Sequence, residues 1–215
     1  MEQIPNDKKT PPFSIHEALV KGWEAFFAHY TVFLPAVFLT VAISFASEYM
    51  IKDKFTPLTI SAFVLGAVAQ IIIGMGLTKI ALKITAGEQV SFDDVFSVTH
   101  LFFPYIGASI LYSLIIFGGL LLLIVPGLVW LVTYWLFPYV LIDTECGILK
   151  ALSEAKLLYY KGVRGHIVLF FVIIGILNIA GALTFMVGLF LTIPITTVAT
   201  AHVYRKLAAA HEEKT

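Results

Sequence analysis

Apolar residues occur in long continuous runs rather than in alternation, which indicates helices and not strands. The most informative run, Val95–Ile142, contains no Asp, Glu, Lys or Arg. A helix needs about 20 residues to cross a bilayer roughly 30 Å thick, so this run is long enough for two crossings. Proline cannot extend a helix and glycine permits a tight turn, so Pro126 and Gly127 predict a hairpin. The predicted arms are about Phe103–Ile124 and Gly127–Ile142.

Further apolar runs predict four more membrane-spanning helices, which makes six in total. The charged stretch Lys52–Lys54 separates the first two of them, whereas only Gly188 and the later Pro194 mark the boundary between the last two. The four predicted spans are about Thr31–Met50, Pro57–Ile84, His166–Val187 and Leu189–Tyr204.

Short amphipathic segments precede three pairs of these spans. Ser14 and Glu17 form a capping-box pattern, and apolar residues then recur at helical spacing over about Ile15–Ala28, which predicts an interfacial helix. Similar stripes begin near Ser91 and near Gly147. The chain therefore reads as three repeated units of cap, amphipathic helix and two membrane helices. The alternative is that any six-helix protein with interfacial helices shows this pattern.

The placement of charge predicts the topology. If the amphipathic segments share one side of the membrane, that side carries twelve of the 14 basic residues, and the other side has only Lys52 and Lys54. The positive-inside rule then places both termini in the cytoplasm. We expect a disordered lead over residues 1–13, one polytopic membrane domain over 14–207, and a short cytoplasmic tail over 208–215.

The composition excludes several classes of protein. Of the 215 residues, 59% are hydrophobic and 13% are charged, whereas a soluble domain has about 25% charged residues. A formal net charge of zero argues against a nucleic-acid partner. The single cysteine, Cys146, excludes an internal disulfide and a cysteine-built zinc site.

The sequence contains no motif that is typical of an enzyme or of an ion-coupled pump. No ionisable residue lies deep in a predicted span, where pumps keep such groups. No metal-ligand or nucleophile motif is present, so we predict a non-enzymatic protein with neither cofactor nor metal. Gln70 and Asn178 are the amides within the spans. They either bond one helix to another or line a polar path for a substrate.

Basic residues near the cytoplasmic ends of the spans are candidates for contact with anionic lipid headgroups. The alternative is that they only set the orientation of the chain, because acids such as Glu17 and Asp94 share the same surface. The candidates are Lys79, Lys83, Arg164, Arg205 and Lys206.

Several segments together resemble a bacterial family. The run Leu121–Leu128 ends in Pro-Gly, Phe137–Asp143 follows with an aromatic Pro-Tyr, and Gly147–Glu154 precedes Lys161-Gly162. With the opening Phe13–Leu19, this arrangement resembles the YciC-like polytopic membrane proteins and the membrane domain of some glycerophosphoryl diester phosphodiesterases.

The resemblance implies a six-helix bacterial inner-membrane protein, and it implies no particular activity. The phosphodiesterase catalytic domain of some relatives has no counterpart in this chain. The chain also departs from the group at Thr133, where an arginine is common. Our leading hypothesis is a protein that organises membrane lipids or partner proteins, with a homo-oligomer compatible with its small-residue faces. The alternative is a transporter or flippase-like carrier of a small or lipid substrate.

Overall fold

The chain folds into helices joined by short turns. The computed structural model describes residues 11–51, 56–160, 162–184 and 187–213, apart from the side chains of residues 50 and 51. These residues form nine α-helices and two short 3₁₀ turns, with no strand among them. The α-helices are α1 (Ile15–Ala28), α2 (Tyr30–Ile51), α3 (Pro57–Thr85), α4 (Phe102–Leu122), α5 (Ile124–Tyr134), α6 (Phe137–Thr144), α7 (Ile148–Leu158), α8 (Arg164–Leu183) and α9 (Leu189–Glu212).

Five segments are long and apolar enough to cross a membrane, as expected for an all-α membrane protein. They are Tyr30–Tyr49, Pro57–Thr85, Phe92–Leu122, Ile124–Thr144 and Arg164–Leu183. The helix α9 is not one of them. Its C-terminal half carries His202, Arg205 and Lys206, which make it less apolar than the others. The count of six spans therefore stays a prediction.

The hairpin turns at Leu123 rather than at Pro126 and Gly127. Leu123 alone has an extended backbone, with φ −164° and ψ 146°, between the end of α4 and the start of α5. Pro126 lies in the first turn of α5, where backbone N–H groups have no partner within the helix, so proline costs little there. Gly127 instead permits close contact between the arms, since a Cβ there would lie 2.8 Å from the Leu120 nitrogen.

The second arm of the hairpin is two helices, whereas the sequence predicted one over about Gly127–Ile142. The helix α5 ends at Tyr134 and α6 begins at Phe137. Pro138 has no N–H to donate to the Tyr134 carbonyl, so the helical ladder breaks between them. The side chains of α6 then enter the core, where Leu141 and Ile142 are fully buried.

Two of the three predicted amphipathic segments are α-helices, α1 and α7. The Ser14 hydroxyl accepts a hydrogen bond from the Glu17 N–H, which confirms the predicted N-cap of α1. The segment after Ser91 forms the two 3₁₀ turns, Phe92–Val95 and Thr99–Leu101, instead of an α-helix. The three-unit repeat therefore stays a prediction.

The buried stripe of α1 packs on another helix. Ala18, Gly22 and Ala25 are buried, and a Cβ on Gly22 would overlap the Ile195 carbonyl of α9. Glu17, nearer the start of α1, lies beside Lys206, nearer the end of α9. The two helices thus run antiparallel in close contact.

The ends of the predicted domain are also helical or buried. Phe13, the last residue of the predicted disordered lead, is buried with its ring edge against Phe170. The helix α9 continues to Glu212, through most of the predicted tail. Residues 1–10 and 214–215 lie outside the described residues.

Burial divides the molecule into two regions. The packed end consists of α1, α6, α7, the 3₁₀ turns, and residues 73–85 of α3 and 195–212 of α9, where side chains such as Ile80 and Leu207 are fully buried. The open half consists of residues 38–51 of α2, 57–72 of α3, 109–134 of the α4–α5 hairpin, 171–183 of α8 and 189–194 of α9. Its side chains are largely exposed, for example Leu65 and Leu121.

Candidate binding cavity and membrane-facing cleft

A cavity lies between α2, α3 and α9, where the open half meets the packed end. Its volume is about 280 Å³. Its wall is mostly apolar, and the polar side chains in it are Thr40, Ser44, Glu48 and Gln70. The remaining lining residues are Val37, Val41, Phe45, Gly74, Leu77, Leu189 and Ile193.

The polar side chains of the cavity follow one face of α2. Thr40, Ser44 and Glu48 recur every four residues, which places them in a row along the helix. The Ser44 hydroxyl donates to the Thr40 carbonyl at 3.0 Å and accepts from Gln70 Nε2 at 3.1 Å. Gln70 therefore bonds α3 to α2 and also faces the cavity.

Asn178 lies in a different helix pair. Its Nδ2 donates to the Ile174 carbonyl at 3.0 Å and to the Thr196 hydroxyl at 3.2 Å, so it bonds α8 to α9. Asn178 does not line the cavity at Gln70. The structure therefore does not bring the two predicted path residues into one polar path.

An open cleft separates α3 from α4. Its volume is about 720 Å³, and its lining is apolar except for the hydroxyls of Tyr105, Ser109 and Ser113. The Ser109 hydroxyl donates to the Tyr105 carbonyl and the Ser113 hydroxyl to the Ser109 carbonyl, both at 2.8 Å. Because these hydroxyl protons are bonded within α4, the cleft presents a predominantly apolar surface.

Arg205, a predicted headgroup residue, joins three helices of the packed end. Its Nε donates to the Thr85 hydroxyl at 3.0 Å, and its Nη2 donates to the Leu82 carbonyl at 2.9 Å. The same Nη2 lies 3.6 Å from an oxygen of Asp143, whose other oxygen accepts from the Tyr204 hydroxyl at 2.9 Å. The guanidinium thus adds a charged donor to the Leu82 carbonyl near the end of α3, a carbonyl that also accepts from the Ala86 N–H at 3.1 Å.

Lys83 and Lys206 also have protein partners. Lys83 Nζ lies 2.8 Å from Asp94, and the other oxygen of Asp94 accepts from the Ser91 N–H at 2.8 Å. Lys206 Nζ lies 4.0 Å from Glu17, on an exposed surface. Ion pairs of this exposed kind contribute little to stability.

The last two headgroup candidates make weaker contacts. The Arg164 guanidinium lies over the Tyr159 ring, 5.4 Å from its centre, and its Nε donates to the Tyr159 carbonyl at 3.4 Å. Lys79 is half-buried and has no charged partner among the described residues. Arg164 and Lys79 are therefore the two candidates whose side chains contribute least to polar contacts at the packed end.

The sequence did not predict the acid partners Asp94 and Asp143. The sequence places Asp94 and Asp143 at the same end of the predicted spans as the basic residues, and this nearness of opposite charges was the available signal for ion pairs. It could not pair them, because Arg205 and Asp143 lie on helices far apart in the chain, and Lys83 and Asp94, only 11 residues apart, meet through the turn that follows α3. Among the described residues, no group of three or more His, Cys, Asp or Glu side chains could hold a metal ion.

Comparisons with protein-family models, with curated proteins and with solved structures find no match to this chain. The resemblance to the YciC-like group therefore stays a prediction.

Proposed function

We propose that this chain is a non-enzymatic membrane protein that organises lipids, and that the cleft between α3 and α4 takes their acyl chains. The observation that carries this proposal is the cleft itself, which is open, apolar and located in the open half. Leu114 and Phe117, which line it, are mostly exposed. An exposed apolar surface of this kind needs an apolar partner, and in a membrane that partner is lipid.

The hairpin geometry supports the same proposal. The arms of the hairpin pack closely on each other, and α6 and α7 join the hairpin to the packed end. Its tip, residues 121–125, is wholly apolar and about 70% exposed at each residue. Such a tip is compatible with burial in lipid, because it has no polar side chain that would lose hydrogen bonds to water there.

Lipid analysis tests the proposal. The wild-type protein is purified in native-membrane nanodiscs, and its lipids and co-purified proteins are identified by mass spectrometry against the bulk membrane. We expect enrichment of one lipid class, and Ser113→Trp, which fills the cleft, should abolish it. Leu121→Trp, on the same helix but outside the cleft, should retain it.

Other outcomes would overturn the proposal. Lipids that match the bulk membrane, together with one enriched protein partner, would favour a protein scaffold, and the exposed side chains of α7 would then be the surface to mutate. Enrichment that survives Ser113→Trp would place lipid selection outside the cleft.

We further propose that α9 is a sixth span and that both termini are cytoplasmic, in a bacterial inner membrane. The distribution of basic residues and the resemblance described above support this orientation. In a Cys146→Ser background, Lys54→Cys should react with an impermeant thiol reagent in intact cells, and Glu213→Cys should not. The reverse result would invert the topology.

A second candidate function is a carrier, which the cavity at Gln70 favours. Because Gln70 and Asn178 lie in separate helix pairs, a carrier should lose function with Gln70→Leu and keep it with Asn178→Leu. The assay is complementation of a deletion strain with a measurable defect, alongside a check that each variant is folded. Full complementation by a folded double variant would exclude a carrier that needs either amide.

A further inference from the structure

The cavity between α2, α3 and α9 has polar groups that helix packing does not use. Gln70 donates one N–H to Ser44, while its carboxamide oxygen and second N–H have no partner among the described residues. Amide groups in an apolar setting are costly unless they are bonded. These groups are therefore available to a ligand.

The shape of the cavity limits the ligand. Its lining extends along α2 from the buried Val37 to Glu48, about 16 Å at the rise of an α-helix. A cavity of about 280 Å³ that extends over this length is narrow. Its volume lies just below the usual range for small-molecule sites. Such a cavity takes one alkyl chain or a compact apolar body, and it excludes a two-chain phospholipid.

The charge of the cavity is carried by one residue. Glu48 is the only charged side chain in the lining, and it lies at the outer end of α2, where it is exposed. Among the described residues it has no ionic partner. A carboxylate at the mouth of an apolar cavity favours a cationic headgroup, because the two charges attract each other across a medium less polar than water.

We propose that this cavity binds a single-chain amphipathic cation. The apolar body lies between Val37 and Leu77, the Gln70 amide contacts the region below the headgroup, and the cationic group pairs with Glu48. This binding requires neither the lipid cleft nor transport, so its failure would leave the proposed lipid-organising function untouched.

Gly74 provides a variant that closes the cavity. A Cβ on Gly74 would meet nothing within 4 Å, and the residue lines the cavity. The first carbon of a new side chain therefore enters open space, so we expect Gly74→Leu to fill the cavity, and leucine is a better helix former than glycine. The folded state should be unaffected while the ligand is excluded.

The experiment is isothermal titration of the full-length protein in nanodiscs of zwitterionic lipid, with empty nanodiscs as background. The probe is hexyltrimethylammonium, and hexyl sulfate is the matched probe with the same chain and the opposite charge. We expect saturable binding of the cation by the wild type and no saturable binding of the anion. Glu48→Gln should weaken cation binding at least tenfold, and Gly74→Leu should abolish it.

Two further variants keep the result interpretable. Glu48→Lys, at an exposed position, should bind hexyl sulfate in preference to the cation, and anion binding would itself show that the variant is folded. Glu24→Gln removes an exposed acid of α1 outside the cavity and should bind the cation as the wild type does. The proposal is overturned if the wild type shows no saturable cation binding, if Gly74→Leu binds equally well, or if Glu48→Gln changes nothing.

Discussion

The packed end and the open half share the helices α3 and α9 but are stabilised in different ways. At the packed end, α3 and α9 are surrounded by α1, α6 and α7, and ion pairs such as Lys83–Asp94 lie around a buried core. In the open half α3 continues with exposed apolar side chains such as Leu65, whereas the side chains of residues 189–194 of α9 are at most partly exposed. The difference suggests that the packed end specifies the fold, while the open half is left free to contact lipid and ligand.

Glycines show this contrast directly. A Cβ on Gly76, at the packed end, would overlap the Val95 carbonyl and lie 2.5 Å from the Val95 Cα. A Cβ on Gly118 or Gly175, in the open half, would meet nothing within 4 Å. Alanine should therefore have opposite consequences at Gly76 and at Gly175, although the open half also contains crowded glycines such as Gly181.

The largest effect is expected for Gly76→Ala. Its added methyl group meets backbone rather than a movable side chain, so we expect a loss of about 1–3 kcal/mol or more, and a lower thermal unfolding midpoint in nanodiscs. Gly175→Ala is the matched control and should be neutral or stabilising by about 0.5–1 kcal/mol. Equal midpoints for the two variants would remove the distinction between the regions.

The next largest effect is expected for Arg205→Gln. It leaves the Leu82 carbonyl and Asp143 without their cationic partner, which should cost about 1–2 kcal/mol because the site is partly exposed. Arg205→Lys should lose less stability than Arg205→Gln but should remain less stable than the wild type, since an ammonium cannot reproduce the geometry of the guanidinium. The readout is again the unfolding midpoint.

Arg164→Gln is the control for Arg205. Arg164 is exposed, and its hydrogen bond and its cation–π contact are both with Tyr159, so its replacement should change stability by no more than about 0.5 kcal/mol. If Arg164→Gln lowered the unfolding midpoint as much as Arg205→Gln, the contacts by which Arg205 connects α3, α6 and α9 would have no special role in stability.

Local sequence patterns predicted the helices better than their packing. The cap at Ser14 and the bounds of α1 follow from neighbouring residues, and the structure agrees with both. The partner of the α1 stripe could not be predicted, because Gly22 contacts Ile195, which lies far along the chain. The segment after Ser91 shows that the same periodicity can form 3₁₀ turns, and its first turn contains Asp94, which pairs with Lys83.

The candidate sites were predicted only in part. Gln70 was recognisable as a polar residue in an apolar span, but the cavity beside it depends on the spacing of α2, α3 and α9. Arg205 was recognisable as a basic residue near a helix end, but its partner Asp143 lies on another helix. Such contacts depend on the arrangement of whole helices, which no local pattern specifies.

A smaller effect is expected for Gly127→Ala in the hairpin. The new Cβ would lie 2.6 Å from the Leu120 side chain, which can move, and 2.8 Å from the Leu120 nitrogen, which is less close than the backbone contact at Gly76. We therefore expect a loss of about 1 kcal/mol, less than for Gly76→Ala. Gly118→Ala, on the facing arm but without a neighbour, should not lower the midpoint. A loss as large as that of Gly76→Ala would make the hairpin part of the rigid fold.

The smallest effect concerns the amide pair of α8 and α9. Interhelical hydrogen bonds in lipid contribute about 0.6 kcal/mol on average, so Asn178→Leu should lower stability by about that amount. Thr196→Val removes the other partner, and a double-mutant cycle should show a coupling of similar size between the two positions. Ser113→Ala is the control, because its hydroxyl donates within its own helix.

The sign of this small coupling decides between the two roles considered for Asn178. A favourable coupling means that the Asn178 amide stabilises the contact between α8 and α9. Gln70 is then the polar residue available to a ligand. A coupling of zero would mean that Asn178 and Thr196 do not need each other, so that the amide is free to contact a substrate. That outcome would restore Asn178 to a polar path and would weaken the contrast between the packed end and the open half.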